Sequence, residues 1–347
     1  MQKKPLLKLI KMKLSNFDYN LPKELIAQEP AQPRTESRLL ILNSADSKIG
    51  HKRFSDLPDY LHTGDVLVVN ETKVIKAKLT GKKQTGGKIE LLIEKQTGDK
   101  TAVCKIKGKI KEGHVLLFSK KINAVVVEKK DYERILEFNK SIKKVIEEIG
   151  EMPLPPYIKK KLKNNLQYQT AYAKKEGSLA APTAGFHFSK ELLKKIEAKG
   201  VVIAKVCLHV SYSTFAPILT ENIEEHKMHP ELIEIDAKNA EIINKAIKEG
   251  RRIFPVGTTT MKTLETAADS KGIVKAGNKE SSLFIYPGYK FKIKYSGMIT
   301  NFHLPKSSLM LLVSAFADRE RILDAYAEAV KHKYRFFSFG DAMLILK

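Results

Sequence analysis

The string GSLAAPTAGFHF, residues 177–188, places one histidine, His187, among small residues just ahead of a helix-forming segment. Small residues such as Gly185 let backbone N–H groups approach a ligand, and a helix N-terminus favours an anion. Thr183 and Phe186 would then contact the same ligand. The string equally fits an Ala/Gly turn around a packed histidine, and the residues alone leave both interpretations open.

Two further strings carry histidines. In LHVSYSTF, residues 208–215, His209 ends a strand-forming run, and hydroxyl side chains that include Thr214 follow it. In EEHKMHPE, residues 224–231, His226 and His229 are three positions apart. Helical zinc motifs prefer a separation of four and add a catalytic glutamate, so a pair that holds a loop by hydrogen bonds is favoured over a metal site. The sequence therefore predicts no metal.

The string PVGTTTMKTLE, residues 255–265, reads as a strand, a glycine turn and a helix start. Gly257, Thr258 and Thr259 could present backbone N–H groups and hydroxyls to a phosphate or a carboxylate. The second glycine of a P-loop is missing, which argues against a nucleoside triphosphate.

Aromatic residues mix with lysine and arginine in three later strings. Such mixtures can stack bases and hold phosphates, which makes Tyr286, Asn301 and Arg335 candidate contacts. They can equally be core strands with solvated charges, as the alternation in RFFSF suggests. The strings are LFIYPGYKF at 283–291, ITNFHLPKSSL at 299–309 and YRFFSFGDAMLIL at 334–346.

Alternating helices and strands must position these loops. Ser189 can cap a helix that Gly200 ends, before the strand VVIAKVCL. Asp236 can cap another helix that Gly250 ends, before the strand IFPV. This order is typical of an α/β domain, where ligands bind in loops after strands.

The segment from Val66 to Phe138 differs, because short Val-, Ile- and Leu-rich runs alternate there with Gly- and Lys-rich turns. That spacing predicts a small antiparallel barrel or sandwich. A short helix, SIKKVIEEIG, and an extended proline linker, MPLPPYI, follow it, and the N-terminal part does not look complete alone. We therefore predict a mixed-sheet α/β domain formed by residues 1–70 and 151–347, with a smaller all-β barrel, residues 71–150, inserted in it.

The 347 residues contain 62 Lys and Arg against 39 Asp and Glu, a formal net charge of +23. A surplus spread along the chain suits a polyanion such as nucleic acid, although lysine-rich composition can also serve solubility alone. Cys104 and Cys207 lie far apart and predict buried, reduced thiols. The longest mostly apolar stretch, Leu309 to Ala317, is too short for a bilayer, and lysines interrupt the N-terminus, so a cytoplasmic protein is expected.

Taken together, the strings resemble one family, that of the S-adenosylmethionine:tRNA ribosyltransferase-isomerases of queuosine synthesis. The resemblance runs from about Leu14 to the last residue. It rests on long strings in a fixed order: FDYNLPKELIAQEPAQPRTESRLL, MPLPPYI, YQTAYAKKEGSLAAPTAGFHF, VGTTTMKTLE, LFIYPGYKF, TNFHLPKSSLMLLVSAFA and YRFFSFGDAMLIL.

The resemblance implies an α/β domain with a smaller inserted β-barrel, and an unusual use of S-adenosylmethionine. The ribosyl group moves to 7-aminomethyl-7-deazaguanine at the tRNA wobble position, and epoxyqueuosine forms while adenine and methionine leave. The acceptors would be tRNAs for Tyr, His, Asn and Asp with GUN anticodons. We further expect a monomer that uses no metal and no membrane.

This chemistry needs a base for the acceptor amine, a base for an acidic 5′-hydrogen beside the sulfonium, and a donor for departing adenine. His187, His209 and His303 lie in matching strings and are the candidates, with Glu265 and Asp341 as alternative bases or orienters. The Gly257–Thr259 turn and Thr183 would hold the methionine carboxylate or a phosphate. The full set of candidate substrate-binding residues is Thr183, Gly185, Phe186, Thr214, Gly257, Thr258, Thr259, Lys262, Tyr286, Asn301 and Arg335.

The chain departs from the family pattern in places. Ser211, Tyr212 and Ser213 stand where Gly-x-Gly is usual, and Lys262 and Lys73 replace usual arginines, which alone make planar bidentate contacts. The unmatched basic residues 1–11 could contact tRNA or be a disordered start. Two other classes fit the sequence less well. An RNA methyltransferase normally needs a Gly-rich loop after its first strand or a trefoil-knot signature, and the sequence shows neither. A non-catalytic RNA-binding module would explain the charge but not the polar loops after strands of an α/β domain.

Overall fold

A computed structural model describes residues 12–130 and 133–347. By internal contacts the chain divides into two units: residues up to Asn70 with Thr183–Cys207 and Phe215–Lys347, and Glu71–Pro182 with Leu208–Thr214. This division assigns residues 151–182 and 208–214 to the unit that holds the barrel. The boundaries expected from the sequence, at residues 70 and 150, stay a prediction.

The strands are β1 (Arg38–Asn43), β2 (Ile49–Arg53), β3 (Val66–Asn70), β4 (Thr72–Val74), β5 (Lys78–Lys83), β6 (Lys88–Gln96), β7 (Thr101–Ile106), β8 (Val115–Leu117), β9 (Asn123–Lys130), β10 (Glu133–Phe138), β11 (Lys175–Ser178), β12 (Val202–Leu208), β13 (Glu231–Ile235), β14 (Ile253–Pro255), β15 (Gly277–Ser281), β16 (Gly297–Asn301) and β17 (Ala342–Leu346). The α-helices are α1 (Ile142–Ile149), α2 (Lys190–Ala198), α3 (Ala237–Lys248), α4 (Thr258–Ala267), α5 (Ser308–Ala317) and α6 (Arg319–Lys331).

The first unit contains two mixed sheets. One has the order β16-β17-β1-β2, in which β1 runs parallel to β17 and antiparallel to β2. The other has the order β14-β3-β12-β13-β15, in which β3 is parallel to both β12 and β14. Because β1 lies between β2 and β17, the N-terminal and C-terminal segments share one sheet. The predicted mixed α/β fold class is confirmed.

Local signals place two helices of this unit, α2 and α3, as the sequence predicts. The Ser189 hydroxyl accepts from the Leu192 N–H at the start of α2, and the Asp236 carboxylate accepts from the Asn239 N–H at the start of α3. Gly200, with φ of +84°, follows α2, a backbone angle that residues with a Cβ rarely adopt.

Hydrophobic runs form the core of the first unit. All five residues of β3 are buried, as is usual for a strand flanked by parallel neighbours. The run at Val66, grouped by its composition with the barrel segment, therefore belongs to the five-stranded sheet. The apolar stretch near Leu309 is the buried helix α5.

The second unit contains a closed barrel with the strand order β10-β7-β6-β5-β8-β9, antiparallel throughout. Ala77, Leu79, Leu136 and Phe138 are among the buried residues that fill it. The short helix α1 follows with Ser141 as its N-cap. The predicted all-β barrel is confirmed.

Three further expectations concern smaller features. Cys104 and Cys207 are both buried and reduced, as predicted, and burial raises the pKa of Cys104. Within the two described ranges, no helix combines the length and the apolar character needed to cross a bilayer. The basic segment 1–11, a possible tRNA contact, lies outside the described residues.

Candidate active site

His187 lies in a 3-10 turn, Thr183–His187, just before α2, and only 3% of its surface is exposed. Its Nδ1 is 2.7 Å from the Ser37 hydroxyl, and the Asn301 amide nitrogen donates to its Nε2 at 3.2 Å. Since Nε2 accepts, the ring proton lies on Nδ1 and points to Ser37. Burial lowers the pKa of His187 to about 4, so the ring is neutral near pH 7.

Asn301, the last residue of β16, links His187 to Thr183. Its amide nitrogen also donates to the Phe337 carbonyl at 3.1 Å, and its oxygen accepts from the Thr183 hydroxyl at 3.2 Å. Asn301 is buried, whereas Thr183 is partly exposed. The chain of hydrogen bonds Ser37–His187–Asn301–Thr183 thus fixes a hydroxyl at the edge of the core, and its oxygen keeps lone pairs for a ligand.

The same turn packs against the start of α4. Gly257, with φ of +88°, precedes that helix, and its N–H donates to the Ile299 carbonyl at 2.7 Å. A Cβ added at Gly257 would come within 3.3 Å of the Ala184 Cβ, so the close approach of the two segments requires glycine as well as its positive φ. The structure therefore brings together the first and fourth strings identified in the sequence.

The first turn of α4 presents the threonines of that string. Asn70, at the end of β3, donates to the Thr259 hydroxyl at 3.2 Å, and Thr258 is buried. The N-cap residue, Gly257, has no side chain with which to cap the turn, and the first N–H groups of α4 point out of the helix with a partial positive charge. This end of α4 has the donors that a carboxylate or phosphate needs.

Phe186 and Gly185 complete the turn and are both buried. The Phe186 ring stacks on Phe339 at 5.7 Å, and the Arg34 guanidinium lies 5.6 Å from its centre. Phe186 therefore packs against another aromatic ring of the core and also contacts a cation.

Further along α4, Lys262 makes a buried ion pair. Its ammonium is 2.9 Å from a carboxylate oxygen of Glu231, and both side chains are less than one-tenth exposed. The Lys262 charge, which the sequence suggested as a substrate contact, is thus paired with Glu231 inside the protein.

One turn later on the same helix, the carboxylate of Glu265 is fully buried and holds a loop. Both of its oxygens accept hydrogen bonds from that loop, which includes the aromatic string at 283–291. The donors are the Tyr295 hydroxyl at 2.7 Å, the Lys292 N–H at 2.9 Å, the Tyr289 hydroxyl at 3.1 Å and the Ile293 N–H at 3.3 Å.

Asp341 is buried in the same way, between two arginines. It accepts from the backbone N–H of Arg38 at 2.9 Å and of Arg335 at 2.8 Å, and the two guanidinium groups approach it at 3.3 and 3.4 Å. The arrangement ties the start of β1 to the residue before β17. Arg335 is accordingly a partner of Asp341, with part of its side chain still exposed.

His303 lies two residues beyond β16, and its Nε2 is 2.8 Å from the Thr300 hydroxyl. Burial lowers the pKa of His303 to about 3. The backbone around it is held by two tyrosines, because its N–H donates to the Tyr326 hydroxyl at 2.9 Å and its carbonyl accepts from Tyr19 at 2.5 Å.

His209 and Thr214 belong to the second unit, and both are partly exposed. His209 Nδ1 is 2.8 Å from the Thr72 hydroxyl. Gly177 lies against the ring, because a Cβ there would approach its atoms to between 3.0 and 3.2 Å. Of the three candidate histidines, His209 is the one with solvent access.

Other sequence candidates are arranged differently. Tyr286 is partly buried, and its ring contacts Phe284, which contacts His226 in turn. Burial, and then the charge of His229, lower the pKa of His226. Among the described residues, this histidine pair joins no group of three metal-ligating side chains.

Sequence reasoning missed Ser37 and Arg34, the partners of His187 and Phe186. Both lie in the opening string of the family resemblance, PAQPRTESRLL, so that string carried the signal. Their separation from residue 187 by the whole barrel segment concealed the contacts.

The comparisons with known proteins identify the family. A family model described as "Queuosine biosynthesis protein" matches residues 14–345. The chain belongs to this family, that of the S-adenosylmethionine:tRNA ribosyltransferase-isomerases. The resemblance inferred from the strings is thereby confirmed.

Two relatives of that name show the extent of the match. The chain is 50% identical to the protein of Fusobacterium nucleatum over 339 residues, 96% of each chain. It is 49% identical to the protein of Carboxydothermus hydrogenoformans over 340 residues, 96% of this chain and 100% of the relative. A solved S-adenosylmethionine tRNA ribosyltransferase of Thermotoga maritima is 37% identical and has a TM-score of 0.56, covering 96% of this chain and 100% of that one.

Proposed function

We propose that the protein transfers and isomerises the ribosyl group of S-adenosylmethionine onto 7-aminomethyl-7-deazaguanine at the tRNA wobble position. Epoxyqueuosine forms in the tRNA, and adenine and methionine are released. The observation that carries the proposal is the identity of about one half to ribosyltransferase-isomerases along 96% of the chain. The net charge of +23 supports a tRNA substrate, whose phosphates release counterions on binding.

The first turn of α4 and Thr183 form the proposed site for the methionine carboxylate. Backbone N–H groups at a helix start favour an anion, and the Thr183 hydroxyl, held by Asn301, adds a fixed hydrogen-bonding group. His187 then acts as a positioning residue. Its neutral ring, between Ser37 and Asn301, orients the amide that orients Thr183.

Proton transfer in this proposal belongs to His209. Of the three candidate histidines it is the partly exposed one, which allows proton exchange with a substrate, and its Nδ1 lies 2.8 Å from the Thr72 hydroxyl. His187 and His303, with pKa values lowered to about 4 and about 3, are poor bases at neutral pH. For Lys262, Glu265 and Asp341 we propose structural roles, since internal partners occupy their charged atoms.

Several finer expectations from the sequence join the proposal. The tRNA acceptors are those for Tyr, His, Asn and Asp with GUN anticodons, the protein acts as a monomer in the cytoplasm, and turnover requires no metal ion. Thr214, Tyr286 and Arg335 are partly exposed and stay candidate tRNA contacts.

Mixing the protein with S-adenosylmethionine and tRNA that carries the deazaguanine tests the function. We expect adenine to be released, and no adenine when the tRNA carries ordinary guanine at that position. S-adenosylhomocysteine would indicate a methyltransferase instead, and tRNA binding without any small product would indicate an RNA-binding module. His209→Ala should lower turnover about a hundredfold or more while tRNA still binds, because general acid–base groups contribute on that scale.

A further inference from the structure

One group of metal-ligating side chains lies outside the proposed active site. His51, on β2, and Glu328 and His332, at the end of α6, place their nearest ligand atoms within 4.8 Å of one another. The Nε2 of His332 is 2.8 Å, and that of His51 3.7 Å, from the same oxygen of Glu328, Oε1. The two imidazole rings lie 4.6 Å apart.

The fold builds this group from two elements. β2 is the edge strand of the four-stranded sheet, and His51 is paired there with Leu40 of β1. Glu328 and His332 are four residues apart at the last turn of α6, so they share one helix face. The side chains are between one quarter and one half exposed, which leaves the group open to ions in solution.

The other polar atoms of the group are already engaged in ways that favour this geometry. The Tyr334 hydroxyl lies 2.9 Å from His51 Nδ1, so it can accept that N–H and leave the Nε2 lone pair facing Glu328. Tyr334 is itself held by the Arg38 guanidinium, 4.0 Å above its ring. Lys331 approaches the second oxygen of Glu328 at 3.7 Å, which leaves Oε1 to the histidines.

A hydrogen-bonded ion pair explains the group less well. Exposed ion pairs of this kind contribute only about 0–1 kcal/mol to stability, so pairing alone gives little reason for the arrangement. Two imidazole nitrogens and a carboxylate oxygen form a common donor set for zinc.

The distances also fit an ion. Zinc binds nitrogen and carboxylate oxygen at about 2.0–2.2 Å, which puts tetrahedral ligand atoms about 3.3 Å apart. The two histidine–carboxylate separations, 2.8 and 3.7 Å, lie on either side of that value, and all three ligand atoms lie within 4.8 Å of one another, so side-chain shifts can bring them onto one ion.

We propose that His51, Glu328 and His332 bind one divalent transition-metal ion, with Zn²⁺ as its representative, and leave the remaining coordination position to solvent. The ion would tie the edge strand β2 to the end of α6. This site is separate from the proposed reaction, which needs no metal, so the two proposals succeed or fail independently.

Competition for Zn²⁺ with a chromophoric chelator, on the full chain without an affinity tag, tests the proposal. We expect one Zn²⁺ per chain, no comparable binding of Mg²⁺, and a rise in Tm with Zn²⁺. His51→Gln, Glu328→Gln and His332→Gln should each weaken binding at least tenfold, and Tyr334→Phe should weaken it about tenfold through the lost orientation of His51. The matched control, His226→Gln with His229→Gln, should bind as the parent does.

Cu²⁺ bound to the unaltered chain provides a readout that does not depend on how the variants fold. Its electron paramagnetic resonance spectrum should show two nitrogen ligands at one site. Absence of a tight site, unchanged affinity in His51→Gln and His332→Gln, or loss of binding in the control variant would each overturn the proposal. Adenine release that persists with a chelator would show that the reaction does not use the ion bound at this site, as the proposal states.

Discussion

The two ends of α4 use their polar residues for different purposes. Its first turn, with Thr258 and Thr259, faces the 183–187 turn and keeps backbone N–H groups directed out of the helix. Its later part carries Lys262 and Glu265, whose charges are taken up by buried partners within the same unit. A charged residue in a family string therefore cannot be assigned to catalysis before its partners in the fold are known. A buried group whose hydrogen bonds are all made inside the protein offers few bonds to a ligand.

Lys262→Met should produce the largest effect, because it leaves the buried Glu231 carboxylate without its cation. We expect a loss of about 3–5 kcal/mol in unfolding free energy, measured by denaturant unfolding. Lys262→Arg, which keeps the charge, is the control and should lose less. A Lys262→Met protein of normal stability that lacks turnover would indicate that Lys262 binds substrate. The later part of α4 would then share the ligand-binding role of its first turn.

Glu265→Ala should destabilise nearly as much, since it removes the acceptor for two tyrosine hydroxyls and two backbone N–H groups. Two of these donors, the Tyr295 hydroxyl and the Ile293 N–H, are buried, and each unsatisfied buried donor costs about 1–3 kcal/mol, so a loss of about 3 kcal/mol is expected. Glu265→Gln retains one acceptor oxygen, so its free energy of unfolding should lie between those of the parent and of Glu265→Ala. If instead Tm is unchanged and only adenine release is lost, Glu265 is a base and the structural role is wrong.

The buried histidines should make stability depend on acid pH. The folded-state pKa of His187, about 4, and of His303, about 3, lie below their ordinary 6.5, so the unfolded chain takes up protons first as pH falls. Above about pH 6.5 both histidines are neutral in the folded and in the unfolded chain. Below that pH, each histidine lowers the free energy of unfolding by about 1.4 kcal/mol per pH unit, down to its folded-state pKa. Between about pH 7 and about pH 5, the free energy of unfolding should fall less steeply in His303→Asn than in the parent. Equal slopes in the two proteins would contradict the lowered pKa of His303.

Thr183→Val should have the smallest effect on free energy but a selective effect on activity. It removes one hydroxyl at the edge of the core, worth about 1 kcal/mol, so kcat/KM should fall about five- to tenfold with little change in Tm. Thr183→Ser, which keeps the hydroxyl, should restore most of the rate. An unchanged rate in Thr183→Val would remove the 183–187 turn from the proposed carboxylate site.

The sequence by itself determined the family, the strand-rich barrel, and the caps at Ser189 and Asp236. These features are read from neighbouring residues: period-two runs between turns, a hydroxyl or carboxylate before a helix, a glycine after it. It also placed His187, Thr183, Gly257 and Asn301 in the proposed site, because each lies in a string long enough to be distinctive.

Only the tertiary structure decided which polar residues are paired with partners inside the protein. Ser37 reaches His187, Arg38 reaches Asp341, and Glu231 reaches Lys262, across sequence separations of 150, 303 and 31 residues. No local pattern encodes such contacts, since they depend on which strands share a sheet. The same holds for His51 and His332, which have no metal-ligand spacing in the sequence and meet because β2 lies at the sheet edge beside the end of α6.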